Sequence, residues 1–216
     1  MALQLSHLHK EFDRLQLRHG AAELCGIYGA GCINRPRACF VFMNPTARNI
    51  ACAPSWNGIR APWLGIKNIW KLMAATGCIS DKTLAEILAK RPVNWDNDFA
   101  ESLYRELADN RVYITNLGKC TQSDAAHLPD KVFHDYLPLL EREITEINPR
   151  LVITFGNRVS SLFLGMPIKV SETRKKIMMK NGRRVMCVYY PVGNGFRNVG
   201  KSIEDINFGL SHAGHD

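Results

Sequence analysis

Four short apolar segments separated by helical patterns constrain the fold of this chain most. They are 38–43 (ACFVFM), 111–117 (RVYITNL), 150–156 (RLVITFG) and 184–191 (RVMCVYYP), and each is rich in β-branched or aromatic residues. Apolar runs of this length are typical of strands buried on both faces, as in parallel sheets. Parallel strands also require long crossover connections, which helices supply. We therefore predict an α/β fold, a three-layer α/β/α sandwich with a central, mainly parallel four-stranded sheet.

Helical periodicity fills the intervals between these strands. Ser80 precedes one of the helical segments as a candidate N-cap, and Pro149 stops another. The opening residues 1–20 carry a further amphipathic pattern. We predict one domain over residues 1–216, with 1–20 as an N-terminal helical extension. The predicted helical segments are 64–77, 80–90, 96–110, 129–148 and 157–165.

One basic segment interrupts the alternation of strands and helices. Residues 168–190 have the pattern of a β-hairpin that turns at Asn181-Gly182. A hairpin of this kind is able to contact phosphates, but it is equally typical of a solvated tip, and the sequence leaves both interpretations open. Its basic residues are Lys175, Lys176, Lys180, Arg183 and Arg184.

Composition narrows the class of protein and of partner. The chain has 216 residues, of which 46% are hydrophobic, and a formal net charge of +8. A basic surface favours a polyanionic partner such as nucleic acid. The sequence has no apolar run of about 18 residues and no secretory pattern, so we expect a cytoplasmic protein with no membrane partner. Seven scattered cysteines without a CxxC pair indicate reduced thiols.

Polar residues follow each predicted strand at its carboxyl end. Amides, glycines and cations predominate in these four segments, which are 44–46, 116–119, 156–158 and 191–195. An amide offers both a donor and an acceptor, which suits reading a nucleobase edge or holding a water, and glycines expose backbone N–H groups to phosphates. The sequence has no Ser-His-Asp order, Walker loop or dinucleotide fingerprint. These strand ends are therefore the candidate ligand site.

The same segments resemble motifs of the uracil-DNA glycosylase superfamily, specifically its family 4 and mismatch-specific branches. FMNPT (42–46) is similar to the first motif of the mismatch-specific enzymes, Gly-Ile-Asn-Pro-Gly. VYITNLGKC (112–120) resembles the family 4 strand Tyr-Ile-Thr-Asn-Val-Val-Lys-Cys. Segments 61–77 and 140–165 resemble further family 4 regions, so the ordered set spans roughly residues 38–200. A series of matches in the same order is far more specific than any single one.

The resemblance implies both an activity and a partner. Members of the family hydrolyse the N-glycosidic bond of a flipped, deaminated or damaged base in DNA during base-excision repair. We therefore expect a monofunctional DNA glycosylase acting on uracil first, with DNA as its partner and a monomer as its state. Family 4 enzymes also hold an iron–sulfur cluster through four cysteines. Only Cys25, Cys32 and Cys120 partly match that pattern, with Tyr136 at the fourth position, so we expect no cofactor and no metal site.

Carried over residue by residue, the resemblance assigns the groups around the base. Asn44 stands where the family positions or activates the attacking water. Trp63 replaces the aromatic residue that stacks on the flipped base, and Asn116 matches the asparagine that pairs with the pyrimidine edge. Met43 is grouped with these base-binding residues. The predicted DNA-backbone contacts are Thr46, Arg48, Lys119, Gln122, Ser123, Gly156, Asn157, Gly193, Gly195 and Arg197.

The second family motif is where this sequence departs most. Family 4 has a histidine that stabilises negative charge on the leaving base, and Tyr190 occupies that position here. We assign the role to Tyr190 or to Asn194, either of which is able to donate a hydrogen bond. The departure keeps two alternatives open. One is a catalytically inactive DNA- or nucleotide-binding protein of the same fold, and the other is a hydrolase acting on RNA or free nucleosides.

Overall fold

A computed structural model describes residues 5–124, 128–191 and 193–213, apart from the side chains of 193, 194 and 196. The helices are α1 (Ser6–His19), α2 (Asn68–Ala75), α3 (Asp81–Ala89), α4 (Asn97–Asp109), α5 (Asp130–Ile147), α6 (Asn157–Leu164), α7 (Val170–Thr173) and α8 (Val199–His212). The strands are β1 (Ala30–Gly31), β2 (Ala38–Phe42), β3 (Val112–Asn116), β4 (Val152–Phe155), β5 (Ile177–Lys180) and β6 (Arg183–Val188). Short 3-10 helices cover Ile50–Cys52, Pro92–Asn94 and Gly193–Asn198.

The sheet has six strands in the order β1-β3-β2-β4-β6-β5. The four central strands are the four predicted from the sequence, and they run parallel to one another. The predicted count of four is wrong because antiparallel strands β1 and β5 are added at the two edges. Strand β1 has two residues, too few to show a periodic pattern, and β5 is the first arm of the predicted hairpin.

Helices cover both faces of the sheet, which confirms the three-layer architecture. Alternate strand residues face opposite sides, as a pleated strand requires. Phe40 and Phe42 pack on the side of α2, α3, α4 and α8, while Cys39 and Val41 pack on the side of α1, α5 and α6. Ser80 caps α3 by accepting a hydrogen bond from the Thr83 amide, as predicted. Helices α7 and α8 were not predicted.

The N-terminal helix α1 is integrated with the body of the protein. Leu8 and Phe12 are buried in the cluster that contains α5. The Gln16 side chain accepts a hydrogen bond from the Thr121 amide at 2.7 Å, and the His19 carbonyl accepts one from Gln122 at 2.8 Å. Helix α1 thereby holds the loop that follows β3. Among the described residues, no helix combines the length and the apolar composition needed to cross a bilayer.

The turn of the basic hairpin lies at the end of the sheet opposite the carboxyl ends of the parallel strands, whereas Lys175 and Lys176 precede β5 on the side of the carboxyl end of β6. Asn181 and Gly182 form its turn with φ of 50° and 76°, the left-handed values that a two-residue hairpin turn needs. Lys180 pairs with Glu141 at 2.7 Å, and Arg183 donates to Thr145 at 2.9 Å. The tip is therefore partly tied to α5.

Candidate active site

A cleft lies at the carboxyl ends of β2, β3 and β6. The chain passes from β2 to β3 on one side and then crosses to β4 on the other, which makes β2 the switch point where ligands bind in such sheets. The cleft has a volume of about 350 Å³ including its open mouth. It is lined by Asn44, Pro45, Thr46, Asn49, Pro62, Trp63, Ile66, Asn116 and Tyr190. The structure thus brings together five residues that the sequence analysis selected separately.

Asn44 follows β2 and is held by the neighbouring strand end. The Leu117 amide donates to the Phe42 carbonyl at 2.7 Å, and the Gly118 amide donates to the Met43 carbonyl at 2.9 Å. The Asn44 side-chain Nδ2 donates to the Pro45 carbonyl at 3.0 Å. Its Oδ1 accepts no hydrogen bond from the residues that the structure describes. This amide is therefore oriented by its own NH₂ group and keeps an oxygen free for a water.

Asn116 ends β3 with a buried and unpaired amide. The residue is 3% exposed, and its side chain makes no hydrogen bond within the described part of the chain. Its backbone is held by a buried side chain, because the Asn116 carbonyl accepts a hydrogen bond from Lys119 Nζ at 2.6 Å. Its amide atoms open on the cleft, where a bound group is able to pair with them. This arrangement therefore favours a ligand that supplies the missing partner.

Trp63 forms one wall of the cleft in a strained backbone conformation. Its φ is 66°, in the left-handed region that a bulky residue rarely adopts. The Trp63 carbonyl is held by the Trp70 indole at 3.2 Å, and the preceding Pro62 carbonyl is held by the Tyr104 hydroxyl. The Trp63 ring packs edge-on against the Phe42 ring, with 4.9 Å between the ring centroids. These contacts keep the indole at the cleft.

Tyr190 reaches the cleft from beyond β6, and its backbone packs closely against Gly195. Gly156 has a φ of 87°, and a Cβ there would lie 3.4 Å from the Tyr190 Cβ. A Cβ at Gly195 would overlap the Tyr190 carbonyl oxygen. Burial raises the pKa of Tyr190 to about 12. The hydroxyl is therefore a neutral donor at physiological pH.

The family model of the uracil DNA glycosylase superfamily matches residues 29–202. The chain belongs to this superfamily. The match includes every residue lining the cleft, from Asn44 to Tyr190. A comparison with curated proteins found no match. Superfamily membership supports a DNA glycosylase-like role with DNA as partner.

The superfamily resemblance also selected residues that lie outside the cleft. Met43 packs with the cluster on the α1 and α5 side. Arg48, Ser123 and Arg197 are exposed. Gln122 ties its loop to the first motif, because its backbone exchanges hydrogen bonds with Pro45 and Ala47.

Three further predicted positions lie in helical segments, Asn157 at the start of α6 and Gly193 and Gly195 in a 3-10 helix. The Asn157 side chain accepts a hydrogen bond from the Val170 amide at 2.9 Å. Gly193 lies at the start of the 3-10 helix Gly193–Asn198, which also contains Gly195. The side chain of Asn194 lies outside the described residues, so its predicted role stays a prediction.

The predicted phosphate contact by Lys119 needs correction. The side chain is fully buried, and its ammonium group is paired with Glu143 at 2.6 Å. It also donates to Thr115 Oγ1 at 2.5 Å and to the Asn116 carbonyl at 2.6 Å. All three ammonium protons are engaged inside the protein. The side chain therefore has no route to a phosphate in this structure.

Asn49 lines the cleft but was not predicted from the sequence. Its Oδ1 accepts a hydrogen bond from the Ala51 amide at 3.0 Å, and its Nδ2 donates to the Ala61 carbonyl at 2.9 Å. Asn49 thus joins the first motif to the loop that carries Trp63. Its position before a 3-10 turn, where asparagine is a preferred cap, was the available signal.

Of the cysteines that partly match the cluster pattern, Cys25 lies beside the segment that carries Cys120, because its carbonyl accepts a hydrogen bond from Thr121, but Cys32 lies away from it. The Cys32 amide bonds to the Val112 carbonyl at the start of β3, whereas Cys120 follows the end of that strand. The two ends of a five-residue strand are about 13 Å apart at a rise of about 3.3 Å per residue. Tyr136 lies beside Cys120, whose pKa is raised by burial. The described residues contain no group of three or more potential metal ligands, and they do not fit a four-thiolate cluster.

Proposed function

We propose that this protein is a monofunctional DNA glycosylase that removes a deaminated or damaged base, uracil first, in base-excision repair. The observation that carries the proposal is the unpaired Asn116 amide, which opens on a cleft shared with Trp63 and Asn44. An amide, an aromatic face and a water-holding oxygen are the groups needed to bind and release a flipped base. Superfamily membership supports the same role.

The flipped base would stack on Trp63 and pair with Asn116. A tryptophan ring offers a large π-face to any base, so stacking supplies affinity with little selectivity. The Asn116 amide supplies the selectivity, because its NH₂ group suits the O4 acceptor of uracil and its oxygen suits the N3–H donor. Cytosine presents the opposite pattern at these positions. The buried amide therefore favours uracil over cytosine.

The bond would be cleaved by water rather than by an amine of the protein. The free Oδ1 of Asn44 accepts a hydrogen bond from the water, whose oxygen bonds to the sugar C1′ while the bond from C1′ to the base nitrogen breaks. The electron pair of that bond leaves on the base, and the proton of the water passes to solvent. The described residues that line the cleft include no lysine, and the nearby Lys119 is fully paired. This supports a monofunctional enzyme that leaves an abasic site.

Tyr190 would take the place of the family histidine at the leaving base. Its hydroxyl is neutral, because the pKa is raised to about 12, and it lines the cleft with Asn44. A neutral donor stabilises a developing anion through a hydrogen bond, without the charge of an imidazolium. We therefore propose that Tyr190 donates to the departing base.

The proposal is tested by incubating the protein with duplexes and single strands that carry uracil, hypoxanthine, xanthine or a mismatch. Alkali then cleaves any abasic site, and the fragments are counted. We expect release of uracil at the highest rate. Absence of release on every substrate, together with tight binding, would instead support the alternative of a catalytically inactive DNA-binding protein. Tyr190 at the histidine position is the observation that favours this alternative. Free nucleosides and RNA in the same panel test the remaining possibility.

A further inference from the structure

A buried ion pair lies directly beneath the cleft. Lys119 is 0% exposed and Glu143, on α5, is 1% exposed, and their charged groups are 2.6 Å apart. Glu143 also accepts hydrogen bonds from Tyr113 at 2.7 Å and from Thr115 at 3.0 Å. Phe12 of α1 covers the pair, with the Lys119 ammonium 5.1 Å from its ring centre. All of these side chains are buried, and none of them lines the cleft.

The network is connected to the cleft through the hydrogen bond from Lys119 to the Asn116 carbonyl. Lys119 has three ammonium protons, and they go to Glu143, to Thr115 and to the Asn116 carbonyl. The Lys119 side chain therefore lies under the turn that follows β3. There it holds the backbone of Asn116, whose side-chain amide lines the cleft. Glu143 and Thr115 in turn hold the lysine.

Stability alone does not account for such a pair. Removing two charges from water costs several kcal/mol per ion, and well-packed apolar residues of similar volume often serve a fold equally well. What an ionic network supplies is a fixed geometry, because each of its hydrogen bonds is directional. Here the fixed geometry is that of the Asn116 carbonyl.

We infer that the Lys119–Glu143 pair is a positioning device that sets the orientation of Asn116 and thereby the base selectivity of the cleft. This inference rests on the proposed function, since it assigns Asn116 to the base. Lys119 and Glu143 are positioning residues, because neither reaches the cleft. Loss of the pair would leave the cleft walls in place and misalign one amide.

The test replaces both charges at once, so that neither is left buried alone. In the variant Lys119→Met/Glu143→Leu we expect the kcat/KM preference for uracil over cytosine to fall at least tenfold. KM for the uracil duplex should rise while kcat changes less than about threefold, because a lost base contact weakens ground state and transition state alike. Affinity for an abasic duplex should stay unchanged.

A control uses a second ion pair, in which the carboxylate is buried, the arginine is 28% exposed and neither residue lines the cleft. Asp205 on α8 is fully buried and pairs with Arg174 at 3.0 Å. The variant Arg174→Met/Asp205→Leu also removes both charges of an ion pair and should leave the base preference intact. If the first double variant does not fold, Lys119→Gln/Glu143→Gln keeps two paired polar groups and shortens the donor arm. The same loss of preference is expected.

A crystal structure of the folded double variant tests the inference separately from the proposed function. An Asn116 amide displaced from the cleft supports the inference, and an amide in its original place overturns it. A wild-type base preference in that variant overturns it as well. By contrast, absence of base release by the wild-type protein would overturn the proposed function, whatever the position of Asn116.

Discussion

Asn44 and Tyr190 stand on the two sides of the bond that breaks in the proposed reaction. Asn44 ends β2 and keeps its Oδ1 free, while Tyr190 follows β6 and keeps a neutral hydroxyl. Neither group carries charge at neutral pH. The proposed enzyme therefore relies on orienting dipoles, and each of the two side chains can be tested separately.

For Asn44→Ala we expect the single-turnover rate of base release to fall about 10²–10³-fold, the range seen when one orienting polar group is removed. DNA affinity should stay within about twofold, because the amide contacts water rather than DNA. Rapid-quench kinetics and fluorescence anisotropy measure the two quantities. Asn94→Ala, which removes an exposed amide that does not line the cleft, serves as control. An active Asn44→Ala enzyme would exclude Asn44 as the water-directing group.

The raised pKa of Tyr190 predicts a flat alkaline limb in the pH–rate profile. The hydroxyl keeps its proton until the pH nears about 12, so the donor is present from neutral pH to about pH 10. We expect kcat to be constant over that interval. Tyr190→Phe should lower kcat at every pH without changing the shape of the profile. A wild-type rate that declines with an apparent pKa near 7 would contradict this role.

Backbone segments, rather than single side chains, set the depth of the cleft. The loop after β6 packs so closely on Tyr190 that residue 195 has no room for a side chain. The loop after β3 is held by Gln16 of α1 through the Thr121 amide. The cleft therefore depends on elements that do not line it.

Gly195→Ala tests this dependence on close backbone packing. The added Cβ overlaps a backbone oxygen, which has no flexible way to retreat, so the segment bearing Tyr190 must shift. We expect at least a tenfold loss of activity with the fold retained. Gly200→Ala is the matched control, since no atom lies within 4 Å of the added Cβ and alanine favours the helix there. Equal activity of the two variants would show that the loop tolerates the shift.

Gln16→Ala tests the contribution of α1. It removes the partner of a buried backbone amide, so we expect the free energy of unfolding to fall by about 1–3 kcal/mol. Urea denaturation followed by circular dichroism measures the loss. Leu17→Ala changes the next residue, which is 82% exposed, and should be close to neutral. Similar values for both variants would mean that α1 contributes little to the loop.

Over the whole molecule, exposed basic residues lie at both ends of the sheet, and we expect those at one end to contact DNA. Arg48 and Arg197 are exposed in loops at the carboxyl ends, near the cleft, whereas the basic hairpin tip is at the other end. Strand β6 runs six residues from Arg183 to Val188, roughly 17 Å at about 3.3 Å per residue. This placement favours a solvated tip over a phosphate contact for the hairpin.

The DNA affinity of two arginine variants, measured over a series of salt concentrations, tests which end of the sheet contacts DNA. Each phosphate neutralised contributes about 0.9 to the slope of log affinity against log salt. We expect Arg48→Ala to reduce the magnitude of that slope by about 1 on a uracil duplex. Arg184→Ala, near the hairpin tip, should leave it unchanged. The opposite ranking would place the DNA along the hairpin.

Local pattern was enough to predict the four parallel strands, the Ser80 cap and the amides at the strand ends. Each of these depends on residues adjacent in the chain. The burial of Lys119 was not predictable, because its partner Glu143 lies on a helix distant in sequence. The same holds for Cys32 and Cys120, whose separation depends on the antiparallel pairing of β1. Tertiary contacts decided these outcomes.

The chain order of the cleft walls has a consequence for how the protein is made. Asn44 and Tyr190 face the same cleft but are 146 positions apart in the chain, 190 minus 44. No fragment that lacks β6 contains both walls. Contacts between such distant residues form late, because a long loop must close first. A growing chain on the ribosome therefore has no complete cleft until most of its length has been synthesised.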